Sequence, residues 1–329
     1  MPSNLDTVLI TGGAGYIGSV AAATLLRKGY RVRVLDNLTF GGAGVLPLLT
    51  DPGYSFVRGD IRSRQDLDTA LQGVRAVVHL AALVGDPACR TEPQAATEIN
   101  QLGSELLIQS ACRHRVERFV FASTCSNYGR MPDPEGYVDE DSPLNPISHY
   151  AELKVGFENY LLALDSDATV PTILRFATAY GLSPRPRFDL TVNEFTKELY
   201  LKRRLEIYGE QFWRPYCHVC DLSEAVVAVL AADRDKVGYE AFNVGRSDQN
   251  YRKKDIVDTI LAVLPDRAHL IERVRREEDP RDYRVRFDKI ETTLGFQAAR
   301  AVPDGVAEII RTLDDGIIGD PDAARYRNT

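Results

Sequence analysis

The stretch TVLITGGAGYIG, residues 7–18, decides the fold, because a short apolar run leads into a cluster of glycines and then into a helical pattern. This order predicts a strand, a tight turn and the start of a helix. The spacing Gly13-x-Gly15-x-x-Gly18 is typical of a turn that binds a dinucleotide, in which glycines allow a sharp turn and a close approach of the backbone to a pyrophosphate. The amides and the dipole at the start of the helix favour an anion. The stretch therefore predicts a phosphate-binding site.

A second predicted strand, residues 31–35, ends at Asp36. This position is near the offset at which the dinucleotide fingerprint has a carboxylate for the ribose 2′-hydroxyl. Because a carboxylate repels a 2′-phosphate, Asp36 predicts NAD in preference to NADP. Arg31 and Arg33 on the same strand leave NADP open as the alternative.

The composition indicates a soluble protein without a nucleic-acid or membrane partner. Of the 329 residues, 44% are hydrophobic and 26% are charged, and the formal net charge is −7. An acidic balance without long runs of like charge argues against non-specific binding to nucleic acid. We also find no apolar run long enough to span a membrane.

The five cysteines indicate a reducing compartment, because they are odd in number and the first strand leaves no room for a secretory leader. We therefore expect the cytoplasm. Cys217-His218-Val219-Cys220 resembles half of a zinc site, but a second pair of ligands is missing. We expect buried thiols there and no metal.

Strands and helices alternate along the first half of the chain, with strands expected at 54–58, 76–82 and 118–122 and helices at 63–72 and 91–114. Such alternation predicts an α/β fold, a doubly wound parallel (Rossmann) sheet with helices on both faces. Residues 172–176 are interpreted as the last core strand. The predicted domains are a dinucleotide-binding domain at 1–178 and a smaller α/β substrate domain at 179–329, with 217–245 returning to the first domain.

A helix that Ser148 can cap carries the candidate catalytic pair, Tyr150 and Lys154, whose spacing of four puts both side chains on one face. An ammonium and a nicotinamide ring beside the tyrosine favour its phenolate, which is a general base for a sugar or alcohol hydroxyl. Thr124 lies at the end of a predicted strand, where ligands of a doubly wound sheet bind. Its hydroxyl is placed to share a proton with the tyrosine.

At this point the chain resembles the extended short-chain dehydrogenase/reductase family, within it the nucleotide-sugar epimerase/dehydratase group. The resemblance covers nearly the whole chain and its motifs keep the order of the family. These motifs are TGGAGYIG, Asp36-Asn37-Leu38, Gly59-Asp60-Ile61, His79-Leu80-Ala81-Ala82, Asn100, Tyr128-Gly129, Tyr150-x-x-x-Lys154, Arg214-x-x-x-His218-Val219-x-Asp221 and Phe242-Asn243-Val244-Gly245.

The resemblance implies a set of site residues. Those implied to bind NAD are Gly12, Gly15, Tyr16, Ile17, Gly18, Asp36, Asn37, Asp60, Ile61, Leu80, Ala81, Ala82, Asn100, Tyr150 and Lys154. Tyr150, Lys154 and Thr124 are the implied catalytic residues. Those expected to bind a nucleotide-diphosphate sugar are Thr124, Cys125, Ser126, Arg187, Asn193, Tyr208, Arg214 and Arg281. Arg185, Arg187 and Asp189 are further candidates for selecting the sugar, and the family implies a homodimer.

Cys125 and Ser126 depart from the family pattern and narrow the reaction. Relatives that eliminate water resemble one another in having a Glu two residues after the catalytic Ser or Thr, often preceded by Asp, and here Thr124 is followed by neither. A 4,6-dehydratase is therefore disfavoured. Cys125 is either an acid/base or, by our preferred interpretation, a packing thiol.

Two reactions of the family remain. An epimerase oxidises a sugar carbon, C4 in our prediction, with tightly held NAD and reduces it again from the other face. A reductase uses NAD(P)H from solution on a 4-keto sugar. Asp36 favours the epimerase, and the unusual residues 125–127 keep the reductase open. A non-catalytic dinucleotide sensor is disfavoured because Thr124, Tyr150 and Lys154 are all present.

Overall fold

A parallel sheet of seven strands forms the centre of the molecule, in a computed structural model that describes residues 6–131, 133, 135–274 and 281–328. Its strands are β1 (Thr7–Thr11), β2 (Arg31–Asp36), β3 (Tyr54–Arg58), β4 (Ala76–His79), β5 (Arg118–Thr124), β6 (Val170–Phe176) and β10 (Glu240–Val244). The strands lie in the order β10-β6-β5-β4-β1-β2-β3. The predicted doubly wound parallel sheet is confirmed.

Both faces of this sheet are buried, as the apolar strand sequences require. Along β1, Val8 and Ile10 pack in one hydrophobic cluster and Leu9 packs in another on the opposite face. All three side chains are almost completely removed from solvent. Successive residues of a strand point to opposite faces, so helices must cover the sheet on both sides.

The helices mostly follow the strands in alternation. They are α1 (Tyr16–Arg27), α2 (Arg64–Ala70), α3 (Asp86–Thr91), α4 (Pro93–Thr97), α5 (Ser104–Arg113), α6 (His149–Leu162), α7 (Thr191–Tyr200), α8 (Val219–Ala231), α9 (Arg234–Val237), α10 (Lys253–Val263), α11 (Asp288–Leu294) and α12 (Val302–Asp314). Short 3-10 helices span Ala43–Leu48, Cys125–Tyr128, Pro265–Leu270 and Ala324–Tyr326. The helical stretch expected at 91–114 is divided among α3, α4, a π-helical turn at Glu98–Gly103 and α5.

The interpretation of residues 172–176 as the last core strand is wrong. β10 pairs with β6 in parallel, for example Phe242 beside Leu174, and so extends the large sheet by one strand. The chain reaches β10 through α8, whose residues Val226 and Val229 pack in the same hydrophobic cluster as the sheet.

The remaining strands form two small sheets. One consists of β7 (Thr178–Tyr180), β9 (Trp213–His218) and β11 (Asn250–Arg252), and the other of β8 (Leu205–Tyr208) and β12 (Ile271–Val274). A separate hydrophobic cluster, which includes Val192, Ile256 and Val306, joins them to α7, α10 and α12. None of the helices in the described ranges is both long enough and apolar enough to cross a membrane.

Candidate active site

The glycine turn after β1 is fixed by close backbone packing. Gly12 has a φ of +72°, and a Cβ added there would lie 2.8 Å from the amide nitrogen of Ala81 at the end of β4. A Cβ added at Gly18 would clash with the carbonyl oxygen of Gly12. α1 begins after Gly15 without a side-chain cap. The first amides of α1 are therefore left for a ligand, and a helix start of this kind suits a phosphate.

A cavity of about 600 Å³ opens beside this turn, where the parallel strands end. Most of the predicted site residues line it. These are Gly12, Gly15, Tyr16, Ile17, Gly18, Asp36, Asn37, Asp60, Ile61, Leu80, Ala81, Ala82, Thr124, Ser126, Tyr150, Lys154, Arg187, Arg214 and Arg281. The cavity thus brings the predicted cofactor and catalytic residues together with three of the arginines expected to bind the substrate.

Asp36 and Asp60 mark one part of this cavity. Asp36 accepts hydrogen bonds from the amides of Ala14, at 3.0 Å, and Leu38, at 2.8 Å, while burial raises the pKa of its carboxyl group. Hydrogen bonds from Arg62 lower the pKa of Asp60 to about 2. A carboxylate at the position of Asp36 fits the ribose hydroxyls of a dinucleotide, and the start of α1 beside it fits the pyrophosphate.

Tyr150 and Lys154 lie on the first turns of α6, which begins after Ser148 because the Ser148 hydroxyl accepts a hydrogen bond from the amide of Ala151. The Lys154 Nζ atom lies 5.8 Å from the centroid of the Tyr150 ring and donates a 2.7 Å hydrogen bond to the carbonyl of Ala122. Burial lowers the pKa of Lys154 to about 8. Burial also raises the pKa of Tyr150, with Cys89 and Asp86 acting in the same direction, so the neighbouring ammonium alone does not produce the phenolate.

A buried polar cluster that the sequence did not reveal lies behind the catalytic face. Glu158, fully buried one turn after Lys154, accepts hydrogen bonds from Ser123 and from Asn127, the latter at 2.8 Å. Arg175 pairs with the same carboxylate at 2.8 Å. Since Ser123 precedes Thr124 on β5, this cluster fixes the strand end that carries Thr124. Only the spacing of four residues from Lys154 to Glu158 hinted at it.

Asp86 is a second feature that sequence reasoning missed. Its carboxylate accepts a 2.7 Å bond from Arg281 and a 2.6 Å bond from the hydroxyl of Ser148. Asp86 therefore connects the segment after β4 to Ser148, at the start of α6, and to Arg281. Each partner except Ser148 lines the cavity.

The carboxylates of the cavity are all engaged by the chain itself. Within the described lining they are Asp36, bound by Ala14 and Leu38; Asp60, by Asn37 and Arg62; Asp86, by Ser148 and Arg281; and Asp189, by Arg187 and Asn328. None of them follows Thr124 in the chain at the spacing of the dehydratases. At the position where a dehydratase of the resembled group has Glu, Ser126 lines the cavity.

Asn100 and Cys125 are predicted site residues that the structure turns away from the cavity. Asn100 is buried and bonds to the amide and carbonyl of Leu83 at 2.8 and 2.9 Å, because its amide group closes the segment after β4. Cys125 is buried, and its Sγ donates to the carbonyl of Arg175 at 3.2 Å. Burial raises the pKa of this thiol well above its usual value. Cys125 has the surroundings of the packing thiol that we preferred.

Asn193 and Tyr208 also lie outside the cavity lining. The buried Asn193 side chain bonds to both backbone groups of Gly181 and to the carbonyl of Arg187, so its amide holds a loop rather than facing a ligand. Tyr208 donates to Glu206 at 2.6 Å and borders a separate hollow on the surface.

The residues of the Cys-His-Val-Cys segment are occupied by structural contacts. The Nδ1 atom of His218 accepts from the amide of Cys220 at the start of α8, and its Nε2 atom lies 2.9 Å from Glu308. Cys217 is buried, and burial raises its pKa. In the part of the chain that the structure describes, no group of three or more His, Cys, Asp or Glu side chains is arranged to hold a metal.

Sequence comparison identifies one family model and relatives of two activities. The model described as the NAD dependent epimerase/dehydratase family matches residues 8–245. A dTDP-glucose 4,6-dehydratase of Streptomyces niveus is 30% identical over 320 residues, which cover 94% of this chain and 93% of the relative. A UDP-glucose 4-epimerase of Halalkalibacterium halodurans is 29% identical over 313 residues, which cover 88% of this chain and 90% of the relative.

Two similar solved structures are named for the same two activities. The dTDP-glucose 4,6-dehydratase DesIV from Streptomyces venezuelae, with NAD and TYD bound, has a TM-score of 0.84 at 29% identity and covers 94% of this chain and 98% of its own. The UDP-glucose 4-epimerase of Thermus thermophilus, in complex with NAD, has a TM-score of 0.79 at 26% identity and covers 92% of this chain and 98% of its own. The chain is therefore similar to a dehydratase and to an epimerase, each of which binds NAD.

Proposed function

The chain belongs to the NAD dependent epimerase/dehydratase family and is an NAD-dependent enzyme that modifies nucleotide sugars, and from this premise we propose that it is a nucleotide-sugar epimerase. The proposed reaction inverts one carbon of the sugar, C4 in the first instance, without net oxidation or reduction. Similarity to relatives does not separate this activity from dehydration, so the proposal depends on the residues of the cavity.

The observation that carries the proposal is the set of groups in the cavity. Tyr150 and Lys154 line the same cavity as the glycine turn and Asp36, whereas the residues after Thr124 are a buried thiol and a hydroxyl. A 4,6-dehydratase must also move a proton at C5, which requires an acid/base besides the tyrosine. The carboxylates of the cavity are engaged by their own neighbours. These features favour a reaction that needs one proton-transferring group.

In the proposed mechanism the chain binds and orients both ligands and moves one proton. The glycine turn and Asp36 would hold NAD, which would supply reversible transfer of a hydride from and to the sugar carbon. Tyr150 takes the proton of the sugar hydroxyl during oxidation and gives it back during reduction. Lys154, anchored at Ala122, supplies positive charge beside the phenol.

The arginines suit the diphosphate of a nucleotide sugar. Arg214, Arg281 and Arg187 line the cavity, and a guanidinium makes paired, charge-assisted hydrogen bonds to such an anion. In this structure Arg187 is paired with Asp189 and Arg281 with Asp86. Binding of the substrate at these arginines is part of the proposal, as is the homodimer that the resemblance implies.

Product analysis tests this function. The purified protein is incubated with UDP-, dTDP-, GDP- and CDP-hexoses without added cofactor, and products are identified by NMR. We expect the C4 epimer of one of these sugars. A 4-keto-6-deoxy product would instead indicate a dehydratase. In a parallel incubation with a 4-keto nucleotide sugar, turnover only with stoichiometric NADH or NADPH would indicate the reductase. Either result would overturn the proposal.

A further inference from the structure

Arg185 is a buried cation that forms no ion pair with the described residues. It is 2% exposed, and its two terminal nitrogens donate to the side-chain oxygen of Asn328, at 2.5 Å, and to the carbonyl of Arg327, at 2.9 Å. Within the described ranges its buried Nε–H has no acceptor. The nearby carboxylate of Asp189 is paired with Arg187 instead. A buried charge of this kind is costly unless something else neutralises it.

The cation remains charged at neutral pH. Burial, together with the charge of Arg187, lowers the pKa of Arg185 to about 10, while Asp189 and Asp36 act in the opposite direction. Asp189 is already engaged by Arg187. One positive charge without a carboxylate partner of its own is thus left beside a large cavity that Arg185 itself lines.

The position of Arg185 relates it to the cofactor part of the cavity. Its guanidinium carbon lies 4.4 Å from the centroid of the Phe40 ring. Phe40 belongs to the segment that follows Asp36, and both residues line the cavity. Arg185 lies beside Phe40 and near Asp36, the residue expected to bind the adenosine ribose of NAD, so its position favours a role at the cofactor over the expected selection of the sugar.

The loop that carries Arg185 is fixed against the start of α1. The hydroxyl of Tyr16, the first residue of that helix, donates a 2.7 Å bond to the carbonyl of Gly181. The side chain of Asn193 bonds to Gly181 and to the carbonyl of Arg187. The loop is therefore anchored beside the helix start whose amides suit a phosphate, and Arg185 follows within it.

A C-terminal segment, residues 324–328, also contacts the loop that carries Arg185. The amide of Phe188 donates to the carbonyl of Tyr326 at 2.8 Å, and the amide of Asn328 donates to Asp189 at 3.0 Å. The rings of Phe188 and Tyr326 pack edge to face, with centroids 5.9 Å apart. These contacts order Arg185 before any ligand binds, which lowers the entropic cost of using it for binding.

We propose that Arg185 binds a phosphate group of the dinucleotide and, together with Phe40, forms a clasp that retains NAD through turnover. The proposal deepens the proposed function and rests on NAD occupying this cavity, since a redox-neutral epimerase needs a cofactor that stays bound. A diphosphate in this cavity has two sources, the cofactor and the nucleotide sugar. The position beside Phe40 and Asp36 favours the cofactor.

The test measures cofactor binding in the holoprotein and needs no sugar turnover. Arg185→Met, Phe40→Ala and Arg325→Ala are compared with the wild type for NAD content after purification and for the rate at which bound NAD exchanges with isotope-labelled NAD, both by mass spectrometry. Affinities for ADP, adenosine and UDP are measured by competition. Arg325 is the control, because it lies on the same C-terminal segment, is exposed and does not line the cavity.

We expect Arg185→Met to speed NAD exchange and to lower the affinity for ADP by about 10- to 100-fold, which is the effect of losing a hydrogen bond to a charged group. The affinities for adenosine and UDP should change little. Phe40→Ala, at an exposed position, should also speed NAD exchange. If Arg185→Met fails to fold, NAD exchange in the Phe40 variant still tests whether the clasp retains the cofactor.

Unchanged NAD exchange in both variants would overturn the clasp. A lower affinity of Arg185→Met for UDP with an unchanged affinity for ADP would overturn it too, because Arg185 would then bind the diphosphate of the nucleotide sugar. A failure of the proposed epimerase would leave all these readouts intact, so the two failures can be told apart.

Discussion

Tyr150 is the residue on which the proposed chemistry most depends. Tyr150→Phe keeps the ring and removes the hydroxyl, so we expect turnover to fall by about 10²- to 10⁴-fold, the usual contribution of general acid–base catalysis. The affinity for the nucleotide sugar should stay within a factor of about two, because most of the contacts remain. Initial rates and equilibrium binding measure the two effects.

Tyr160→Phe is the matched control, because Tyr160 lies on the same helix, does not line the cavity and accepts a hydrogen bond from Gln109 near the surface. This variant should turn over at the wild-type rate. Equal rates for the Tyr150 variant and the wild type would contradict the assignment of the base.

Lys154 provides a test through stability. Its pKa is lowered from 10.5 to about 8 in the folded chain, so between these values the unfolded chain binds a proton that the folded chain has released. Stability therefore rises with pH across this window. Compared with Lys154→Met, which lacks the group, the wild type should gain about 3 kcal/mol in unfolding free energy from pH 8 to 10.5.

Denaturant titrations of the cofactor-free proteins at the two pH values measure this difference. A gap between the two proteins that does not change with pH would show that the ammonium is not desolvated in the fold. Groups elsewhere in the chain titrate in both proteins and cancel in the comparison.

Residue roles could be predicted where local spacing decides them. Tyr150 and Lys154 share a face because they are four apart on one helix, and Asp36 ends a strand that the sequence marks clearly. Cys125 was harder, since whether a side chain at a strand end faces the ligand or the neighbouring strand depends on β6, which is distant in the chain. Arg185 became informative only when Phe40 was seen beside it.

At the scale of elements, the strands of the large sheet were predictable from their apolar runs. The sequence analysis assigned 217–245, which contains β10, to the first domain, but it did not predict that β10 pairs with β6, because these five residues contain no information on their neighbour in the sheet. Likewise the pattern at 91–114 indicated helix, but not the π-helical turn at Glu98–Gly103 that interrupts it. Within this turn the side chain of Asn100 bonds to the backbone of Leu83, a contact between segments that a local pattern does not reveal.

The loop between β7 and α7 depends on Asn193. Asn193→Ala removes three hydrogen bonds and leaves backbone groups of Gly181 and Arg187 without partners, so we expect a loss of about 1–3 kcal/mol in unfolding free energy. NAD exchange should also accelerate, because the same loop carries Arg185. Urea titration and the labelled-NAD assay measure the two changes.

Asn159→Ala is the control for this variant. Asn159 is exposed on α6, and a surface substitution of this kind changes stability by no more than about 0.5 kcal/mol. If Asn193→Ala were as stable as the control, the loop would not need the amide, and the role assigned to it would be wrong.

For the whole molecule, the family and the fold were predictable and the exact reaction was not. The glycine turn, Asp36 and the Tyr-Lys pair place the chain in a family whose members described above are named both as epimerases and as dehydratases. What separates an epimerase from a dehydratase in our account is the chemistry at one strand end, and what separates it from a reductase is the retention of the cofactor. Both depend on contacts between distant segments, such as Asp86 with Arg281 and Phe40 with Arg185.

The proposed redox-neutral inversion is tested most directly with a nucleotide sugar deuterated at C4. The holoprotein, with only the NAD it retains, is incubated with this substrate, and the product is analysed by NMR and mass spectrometry. We predict the C4 epimer with deuterium still at C4 and no NADH released into solution. A product that has lost the deuterium, or one formed with stoichiometric change of free cofactor, would contradict the account.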